Sequence, residues 1–330
     1  MASAQTATAS ELLARTRDGV LLYGLTPPRQ TSTPDQADSI AAAALARLRS
    51  VQVDGLILYD VDAEAERTEA PRPFPFMPMM DPAYFLDRHL TDWAGPVIVY
   101  RSVGKYTGDQ LDHWLSEADR DRVLTVLVGA ASRHQVVRTS LSEAYRRYAA
   151  LSLPPRMGGV VIAERHADLG TEHVRMLRKQ DAGCEFFVSQ VCYSLDHTRN
   201  LLSGYTHSCR DRGLDPQPVV LTLAPCGSVK TLEFMTWLGI DVPGWLRAAI
   251  TGGDPLTASY EQCVFNARAL IAHCRRLSLP FGINVESLTN RKLEIDASID
   301  LAREIRNLLG RTPGKPRTDP LFPGSVRQGV

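Results

Sequence analysis

Apolar residues recur along this chain in short runs that alternate with longer stretches of helical periodicity. The first run, at 20 to 25, reads VLLYGL, and the segment from 35 to 50 then places Leu45 and Leu48 on one helical face. Seven further apolar runs follow at 55 to 60, 96 to 101, 122 to 128, 158 to 163, 185 to 190, 218 to 223 and 280 to 286. The pattern therefore predicts eight strands.

Helical periodicity fills the intervals between these strands. The predicted helices lie near 82 to 93, 107 to 118, 138 to 151, 170 to 181, 195 to 212, 228 to 249 with a break, 256 to 276 and 292 to 309. Eight strands that each precede a helix are typical of a (β/α)8 barrel. We therefore predict an α/β fold with a single TIM barrel over residues 19 to 310 of the 330-residue chain.

Three segments fall outside this scheme. Residues 1 to 18, rich in Ala, Ser and Thr, are predicted to form a flexible N-terminal extension, and residues 311 to 330 a proline-rich C-terminal tail. The loop from 61 to 80 follows strand two and carries Phe74 and Phe76. It is long enough to close over a flat ligand, although a loop that only caps exposed core is an equally common arrangement.

The composition narrows the class of partner. Lys plus Arg and Asp plus Glu number 37 each, so the chain has no excess of positive charge with which to bind nucleic acid or anionic lipid. The six cysteines form no C-x-x-C pair, and neither a secretory signal nor a membrane span is evident. We expect a cytoplasmic protein with free thiols and a small-molecule ligand. A homodimer is compatible with the sequence, which does not locate its interface.

Polar residues gather where the predicted strands end. Enzymes with this fold build their sites from the carboxyl ends of the strands and the loops that follow. The candidates are Gly24, Thr26, Tyr59, Asp60, Asp62, Tyr100, Arg101, Gly129, Ser132, Glu164, His166, Gln190, Tyr193, Thr222, Cys226, Asn284 and Glu286.

Three carboxylates in this set, Asp60, Glu164 and Glu286, are candidates for acid catalysis. Crowded acids in a partly dry site raise one another's pKa, which suits one of them to donate a proton near neutral pH. Structural roles are the alternatives: a loop cap for Asp60, and ion pairs with nearby arginine or lysine for Glu164 and Glu286. The sequence shows no H-x-H pair and no two His at helical spacing, so we predict no metal site.

No dinucleotide-binding G-x-G-x-x-G, phosphate-binding P-loop or G-x-S-x-G elbow is present. One segment does resemble a family hallmark. The stretch RKQDAGCEFFVSQ, from Arg178 to Gln190, is similar to the K-x-D-A-G-[AC]-x-[FI]-x-[ITV]-[ST]-Q pattern of the methylenetetrahydrofolate reductase family. FMTWLGIDVPGWL at 234 to 246, AERH at 163 to 166 and YGLTPPR at 23 to 29 resemble further segments of that family.

This resemblance covers most of the barrel and implies a hydride transfer from NAD(P)H to 5,10-methylenetetrahydrofolate, which gives 5-methyltetrahydrofolate. It implies that Gln190 makes a bidentate contact with the pterin, because an amide offers both a donor and an acceptor. We group Tyr193 and Thr222 with Gln190 as folate-binding residues. His166, Lys179, Tyr59 and Tyr100 are assigned to the nicotinamide.

The chain also departs from the family pattern. In the family the first strand carries a Glu that protonates the folate when its imidazolidine ring opens, and here that position is Gly24. Members that bind flavin end strand four in Arg-Gly-Asp, whereas this chain has Val128, Gly129 and Ala130. A tightly bound FAD is therefore not expected, and the chain resembles the flavin-independent actinobacterial branch. One of Asp60, Glu164 and Glu286 would have to replace the missing acid.

Two functional hypotheses follow. The first is an NAD(P)H-dependent oxidoreductase of the methylenetetrahydrofolate reductase type. The second is a folate-binding barrel that has lost reduction and serves methyl transfer or demethylation, or acts as a folate-binding partner protein; Gly24 favours it. Lys230 and Arg247 are candidates to meet the anionic glutamate tail, although surface solvation is the commoner role of such residues.

Overall fold

A computed structural model describes residues 7 to 63, 68 to 130 and 135 to 310 of the chain. Eight parallel strands pair in sequence order, and β8 closes on β1, which confirms the predicted single (β/α)8 barrel. The strands are β1 Val20–Leu25, β2 Gly55–Leu58, β3 Val97–Ser102, β4 Val123–Val128, β5 Met157–Val161, β6 Phe186–Val191, β7 Val219–Leu223 and β8 Phe281–Glu286.

Helices surround the barrel on its outer side. They are α1 Ala9–Arg15, α2 Pro34–Leu48, α3 Pro82–His89, α4 Gly108–Glu117, α5 Leu141–Ala150, α6 Ala163–Leu169, α7 Glu172–Asp181, α8 Leu195–Asp211, α9 Val229–Trp237, α10 Gly244–Gly252, α11 Pro255–Leu277 and α12 Lys292–Leu309. The break predicted between 228 and 249 separates α9 from α10. Within the described ranges no helix is both long and apolar enough to cross a membrane.

Alternation along the strands builds two apolar layers. Leu22, Ile57, Ile98, Val126 and Val188 point inward and fill the barrel. The residues between them point outward and pack beneath the helices. Because the centre is packed with side chains, a ligand site can form only at an end of the barrel, and the polar residues lie at the carboxyl end.

Helix α1 closes the opposite end of the barrel. Its Thr8 and Glu11 form a reciprocal capping box, its Ala9 and Leu12 are buried, and the Ala9 amide donates to the Asp121 carbonyl at 2.7 Å. This differs from the flexible extension expected for residues 1 to 18, because a short apolar face gains enough from burial against the barrel floor to order the segment. Residues 1 to 6 and the proline-rich tail at 311 to 330 lie outside the described residues.

The loop after β2 extends along the rim at the carboxyl end. Its end pairs with the loop after β1, where Gln30 N donates to the Pro78 carbonyl at 2.9 Å and Met80 N to the Pro28 carbonyl at 2.8 Å. Its middle reaches α9, where the Trp237 indole donates to the Ala70 carbonyl at 3.1 Å. Since β1 and β8 separate β2 from β7, this loop spans the rim above those two strands.

Candidate active site at the carboxyl end of the barrel

Gln190 ends the inward-facing row of β6. Phe186 and Val188 precede it in the barrel interior, and a β-bulge between Val188 and Val191 interrupts the regular pairing with β7 at the partly buried Gln190. Its Nε2 donates to the carbonyl of Leu238, at the end of α9, at 2.7 Å. This bond uses one N–H of an amide that has two donors and an acceptor, so Gln190 can still present a donor and an acceptor to a ligand.

Glu286 ends the inward-facing row of β8 and lies directly opposite Gly24 in the β1–β8 pairing. It is only 9% exposed. A Cβ atom at position 24 would lie 3.0 Å from Glu286 Oε2 and 2.8 Å from Cε2 of Tyr59. The carboxyl and the phenol ring therefore occupy the space that a side chain on β1 would need.

The surroundings of Glu286 favour its protonated form. Burial raises the pKa of Glu286 to about 7, and hydrogen bonds from Tyr59 and Asn284 oppose that rise. A carboxyl group with a pKa near the working pH is suited to general acid catalysis. Of the three carboxylates singled out in the sequence, Glu286 has the environment of a proton donor.

Asn284 lies one inward position below Glu286 and links the polar side chains of the site. Its Nδ2 donates to Tyr59 Oη at 2.9 Å and to Thr222 Oγ1 at 3.3 Å, and Glu286 Oε2 is 3.5 Å away. Its Oδ1 is buried and has no hydrogen-bond partner in the described part of the chain. Sequence reasoning placed Asn284 at the rim without a role, and its burial on a barrel strand is the signal that marks it as a linker.

Two tyrosines line the interior beside this acid. The rings of Tyr59 and Tyr100 meet edge to face with centroids 4.9 Å apart. Burial, with the nearby Glu286 carboxyl as a further cause, raises the pKa of both phenols, so both remain neutral at physiological pH. Tyr59 and Tyr100 therefore present neutral hydroxyls and ring edges beside Glu286.

Asp60 is committed to the framework of the rim. Its carboxylate accepts from Lys105 Nζ at 2.5 Å, from Tyr106 Oη at 2.8 Å and from the Ser102 amide at 2.8 Å. These bonds fasten the end of β2 to the turn after β3. Asp60 is therefore positioned as a structural anion, the alternative considered from sequence.

Glu164 lies in the first turn of α6, because β5 ends at Val161, two residues earlier than the end of the strand predicted at 158 to 163. Its Oε1 accepts from the Asp241 amide at 3.3 Å, and His197 Nδ1 lies 3.4 Å from Asp241 Oδ2. Burial raises the pKa of Glu164, and the bond from Asp241 opposes that rise. The turn after α9 is thus held by Glu164 at Asp241 and by Gln190 at Leu238.

Comparison with solved structures finds a near relative. A protein from Clostridium thermocellum, described as uncharacterized and as binding two copies of 5-methyl-5,6,7,8-tetrahydrofolic acid, is 34% identical. The match covers 91% of this chain and 99% of that one, with a TM-score of 0.80. The chain belongs to the family of this Clostridium thermocellum protein.

A more distant structure shares only the fold. The apo form of MsnO8 is 14% identical over 88% of this chain and 99% of its own, with a TM-score of 0.51. No protein-family model matches the chain, and no curated protein sequence matches it.

In this member of the family, two residues assigned to the cofactor lie on the helical side of the barrel wall. His166 packs between helices, with Nδ1 3.4 Å from Nδ1 of His173 on α7 and its ring against Gly204 on α8. Lys179 lies on α7 and donates to the carbonyl of Val160, on the outer face of β5. We correct both assignments, because each side chain is turned away from the barrel interior.

The lysine of the hallmark motif therefore has a structural role. Burial lowers the pKa of Lys179, and the nearby Glu172 carboxylate opposes that change. Glu172 is 1% exposed and accepts from the Ile162 amide at 3.2 Å. The two side chains together tie α7 to the end of β5, which sets the backbone that leads into β6.

The other folate-binding candidates divide between the interior and the wall. Thr222 is inside, where its hydroxyl donates to the Ser189 carbonyl at 2.9 Å and accepts from Asn284. Tyr193 is 1% exposed and donates to the Ala224 carbonyl at 2.8 Å, with Cys263 of α11 beside its hydroxyl. Its phenol is buried against the helical layer, so we remove Tyr193 from the site.

Other rim candidates lie at the ends of β3 and β4. Arg101 donates to Asp81 at 2.6 Å and stacks on Trp114, so it belongs to the framework. The end of β4 presents Val128 and Gly129, which do not fit a flavin held by charged side chains. Ser132 lies outside the described residues. Among the described residues no cluster of three or more His, Cys, Asp or Glu could hold a metal ion, and all six cysteines are buried free thiols.

Proposed function

We propose that this protein is a folate-dependent oxidoreductase of the methylenetetrahydrofolate reductase type. It would bind 5,10-methylenetetrahydrofolate at the carboxyl end of the barrel and reduce it to 5-methyltetrahydrofolate with NAD(P)H as co-substrate. The family relative that binds 5-methyltetrahydrofolate supports the choice of ligand, because this molecule is the product of the proposed reaction. The amide of Gln190 at the mouth supports a pterin contact.

The position of Glu286 carries the proposal. The resemblance drawn from sequence requires an acid on the first strand, where this chain has Gly24. The carboxyl of Glu286 lies 3.0 Å from the point where a side chain at Gly24 would begin, on the adjacent strand and in direct register. We infer that Glu286 supplies the acid from β8, next to the strand on which the family carries it.

The chemistry uses this acid once in each turnover. Protonated Glu286 gives its proton to the folate nitrogen that leaves the methylene carbon, the carbon–nitrogen bond breaks, and an iminium forms at the other nitrogen. The nicotinamide supplies the hydride that reduces this carbon to a methyl group. Glu286 is left as a carboxylate, which Tyr59 and Asn284 stabilise by hydrogen bonds until a proton returns.

The other site residues position the two substrates. Gln190 orients the pterin through its amide. Tyr59 and Tyr100 form the edge of the protein surface on which the reacting rings lie. Holding two flat rings in contact contributes several kcal/mol to the rate, because their relative motion is already restricted. Thr222 and Asn284 hold the floor in place.

A second candidate function is folate binding without reduction, in methyl transfer, demethylation or partnership with another enzyme. Two observations favour it: Gly24 in place of the acid, and a relative that binds the already methylated folate. We place it second because the buried Glu286 is difficult to explain in a barrel that donates no proton.

Two measurements separate these functions. Oxidation of NADH or NADPH is followed by the absorbance of the reduced nicotinamide, with and without methylenetetrahydrofolate. The binding of 5-methyltetrahydrofolate is measured by calorimetry. Oxidation that depends on the folate supports reduction. Binding of 5-methyltetrahydrofolate with no oxidation of either nucleotide leaves the second function, and no binding of any reduced folate contradicts both.

A further inference from the structure

The turn after α9 presents a backbone carbonyl to the amide of Gln190. Helix α9 ends at Trp237, and Gly239 follows with a φ of +77°, in the left-handed region. The amides of Gly239 and Ile240 donate back to carbonyls of α9 at 2.9 and 3.0 Å, and Ile240 is buried. This glycine cap fixes the position of the Leu238 carbonyl, to which Gln190 Nε2 donates at 2.7 Å.

Two side chains hold the far end of the same turn. Oε1 of Glu164, in the first turn of α6, accepts from the Asp241 amide at 3.3 Å. On α8, Nδ1 of His197 lies 3.4 Å from Oδ2 of Asp241. Glu164 therefore fastens α6 to the turn three residues after the carbonyl that meets Gln190. A shift of the turn would move that carbonyl.

The carbonyl determines which way the Gln190 amide is turned. The two ends of a carboxamide have nearly the same shape, so a glutamine in an open site can rotate and exchange its oxygen for its nitrogen. Such a rotation in Gln190 would place Oε1 against the Leu238 carbonyl, and two acceptors form no hydrogen bond. One orientation is therefore favoured, in which Oε1 and the second N–H of Gln190 stand in a fixed order.

A fixed order of acceptor and donor distinguishes one ring edge from another. A pterin presents a ring N–H beside the carbonyl at carbon 4, whereas its 4-amino analogue presents a ring nitrogen without hydrogen beside an amino group. The two edges have the same shape and the reverse order of donor and acceptor. A glutamine that rotates freely suits both edges, and a glutamine held in one orientation suits only one of them.

We propose that the Leu238 carbonyl, held by Glu164 through the turn, orients Gln190 for the edge of a 4-oxo pteridine and against that of a 4-amino pteridine. Gln190 then determines the specificity, and Glu164 is a positioning residue that acts through the turn. The identity of the ligand as a reduced folate rests on the proposed function. Hydride transfer is not required, because every tetrahydrofolate presents the same edge.

The test compares two ligands that differ at one ring position, tetrahydrofolate and its 4-amino analogue, tetrahydroaminopterin. Calorimetry measures both affinities at a pH where both heterocycles are neutral, and their ratio is the readout. The variants are Gln190→Leu, Glu164→Ala and Glu164→Gln, the last of which keeps an acceptor for the Asp241 amide. Glu304→Ala is the control, because Glu304 lies on α12 and pairs with Arg268 of α11 on the outer surface.

The wild-type protein should prefer tetrahydrofolate by on the order of tenfold, because the analogue sets donor against donor and acceptor against acceptor. Glu164→Ala should lower this ratio by weakening tetrahydrofolate while sparing the analogue, since the amide of Gln190 is then free to turn. Glu164→Gln and Glu304→Ala should keep the wild-type ratio, and Gln190→Leu should bring it close to one. General damage to the site lowers both affinities together, so the ratio separates positioning from damage.

The possible results are distinct. A wild-type ratio near one, or a preference that survives in Gln190→Leu, overturns the proposal, because Gln190 then does not recognise this edge. An unchanged ratio in Glu164→Ala overturns the positioning role. These results leave the proposed reduction intact, since that is measured by folate-dependent oxidation of NADH or NADPH.

A protein that shows the expected ratios but oxidises neither nucleotide supports this inference and contradicts the reduction. Binding of neither ligand contradicts both.

Discussion

Gly24 and Glu286 face each other across the β1–β8 pair, and the carboxyl oxygen of Glu286 lies 3.0 Å from the point where a Cβ of residue 24 would stand. The two positions compete for one volume, because the Tyr59 ring closes the remaining side at 2.8 Å. An acid can therefore stand on either strand but not on both. The glycine on β1 therefore leaves the space that the glutamate on β8 occupies.

This relationship predicts the result of moving the acid. Gly24→Glu alone should destabilise the fold by about 1–3 kcal/mol, the usual cost of overpacking. Combining it with Glu286→Gly should recover part of that loss, because the second change removes the Glu286 side chain but leaves the Tyr59 ring 2.8 Å from the new Cβ. Denaturant unfolding of the two single variants and the double variant measures the coupling between them. Losses that simply add would show that the two side chains do not compete.

Glu286→Gln should abolish the proposed proton transfer while keeping the shape of the site. General acid catalysis contributes on the order of a hundredfold or more, so kcat should fall by at least that factor while folate affinity changes little. The matched variant Glu164→Gln should have a much smaller effect, because Glu164 contacts the Asp241 turn. If both variants lose activity equally, Glu286 is not the specific donor.

The pKa of Glu286 also predicts how the rate depends on pH. Burial raises this pKa to about 7, and only the protonated carboxyl can donate. The rate of folate reduction should therefore be highest below pH 7 and should fall as the pH rises through that value. The rate of the wild-type protein, measured from about one unit below to about two units above this pKa, checks the expected fall. A flat profile would remove Glu286 from the rate-determining proton transfer.

The same shift predicts a pH dependence of stability. The folded pKa of about 7 lies above the reference value of 4.5, so the folded state holds a proton that the unfolded chain has already lost. The contribution is full below pH 4.5 and is lost as the pH rises toward and through 7, on the order of 3 kcal/mol for a shift of this size. The free energy of unfolding, measured across this window, should fall less steeply in Glu286→Gln than in the wild type.

Asp60 should behave differently from Glu286. Asp60→Asn leaves Lys105 without its anionic partner and weakens the bond from Tyr106, which should cost on the order of 3 kcal/mol of stability. The pH profile of any activity that remains should keep its shape, because the proton donor is untouched. Thermal unfolding and a rate profile on the same variant test both statements. A profile that shifts while stability is unchanged would return Asp60 to the list of acids.

Gln190→Ala should weaken the binding of reduced folates by about tenfold, since a hydrogen-bonded amide contributes on the order of 1–2 kcal/mol. It also removes the bond to Leu238, so the variant Gln190→Glu is a useful companion: it keeps the side-chain length but replaces the donor. Calorimetry with 5-methyltetrahydrofolate measures both. Wild-type affinity in Gln190→Ala would mean that the pterin binds elsewhere.

The sequence predicted the fold better than the site, for physical reasons. Strand and helix periods are local, so all eight strands were placed within about two residues. The short α1 was missed because its apolar face is only two residues wide and is stabilised by contact with the barrel floor. The extra helix α6 begins where strand five was expected to continue, so Glu164 and His166 were placed at a strand end.

Direction of the side chain decided which candidates belong to the site. Gln190 and Glu286 follow inward residues on their strands, whereas Tyr193 and Lys179 face the helices. A motif in one dimension cannot distinguish the residues that hold a strand in place from those that meet a ligand. The pairing of Gly24 with Glu286 depends on register between the first and last strands, which is set only when the barrel closes.

The described part of the loop after β2 contacts its neighbours on two sides: two backbone hydrogen bonds join it to the loop after β1, and the Trp237 indole bond to Ala70 and the Phe74–Phe234 ring contact join it to α9. A ligand held between this loop and the mouth of the barrel would be released more readily when these contacts separate. We therefore expect the rate at which a ligand leaves the mouth to follow the opening of this loop.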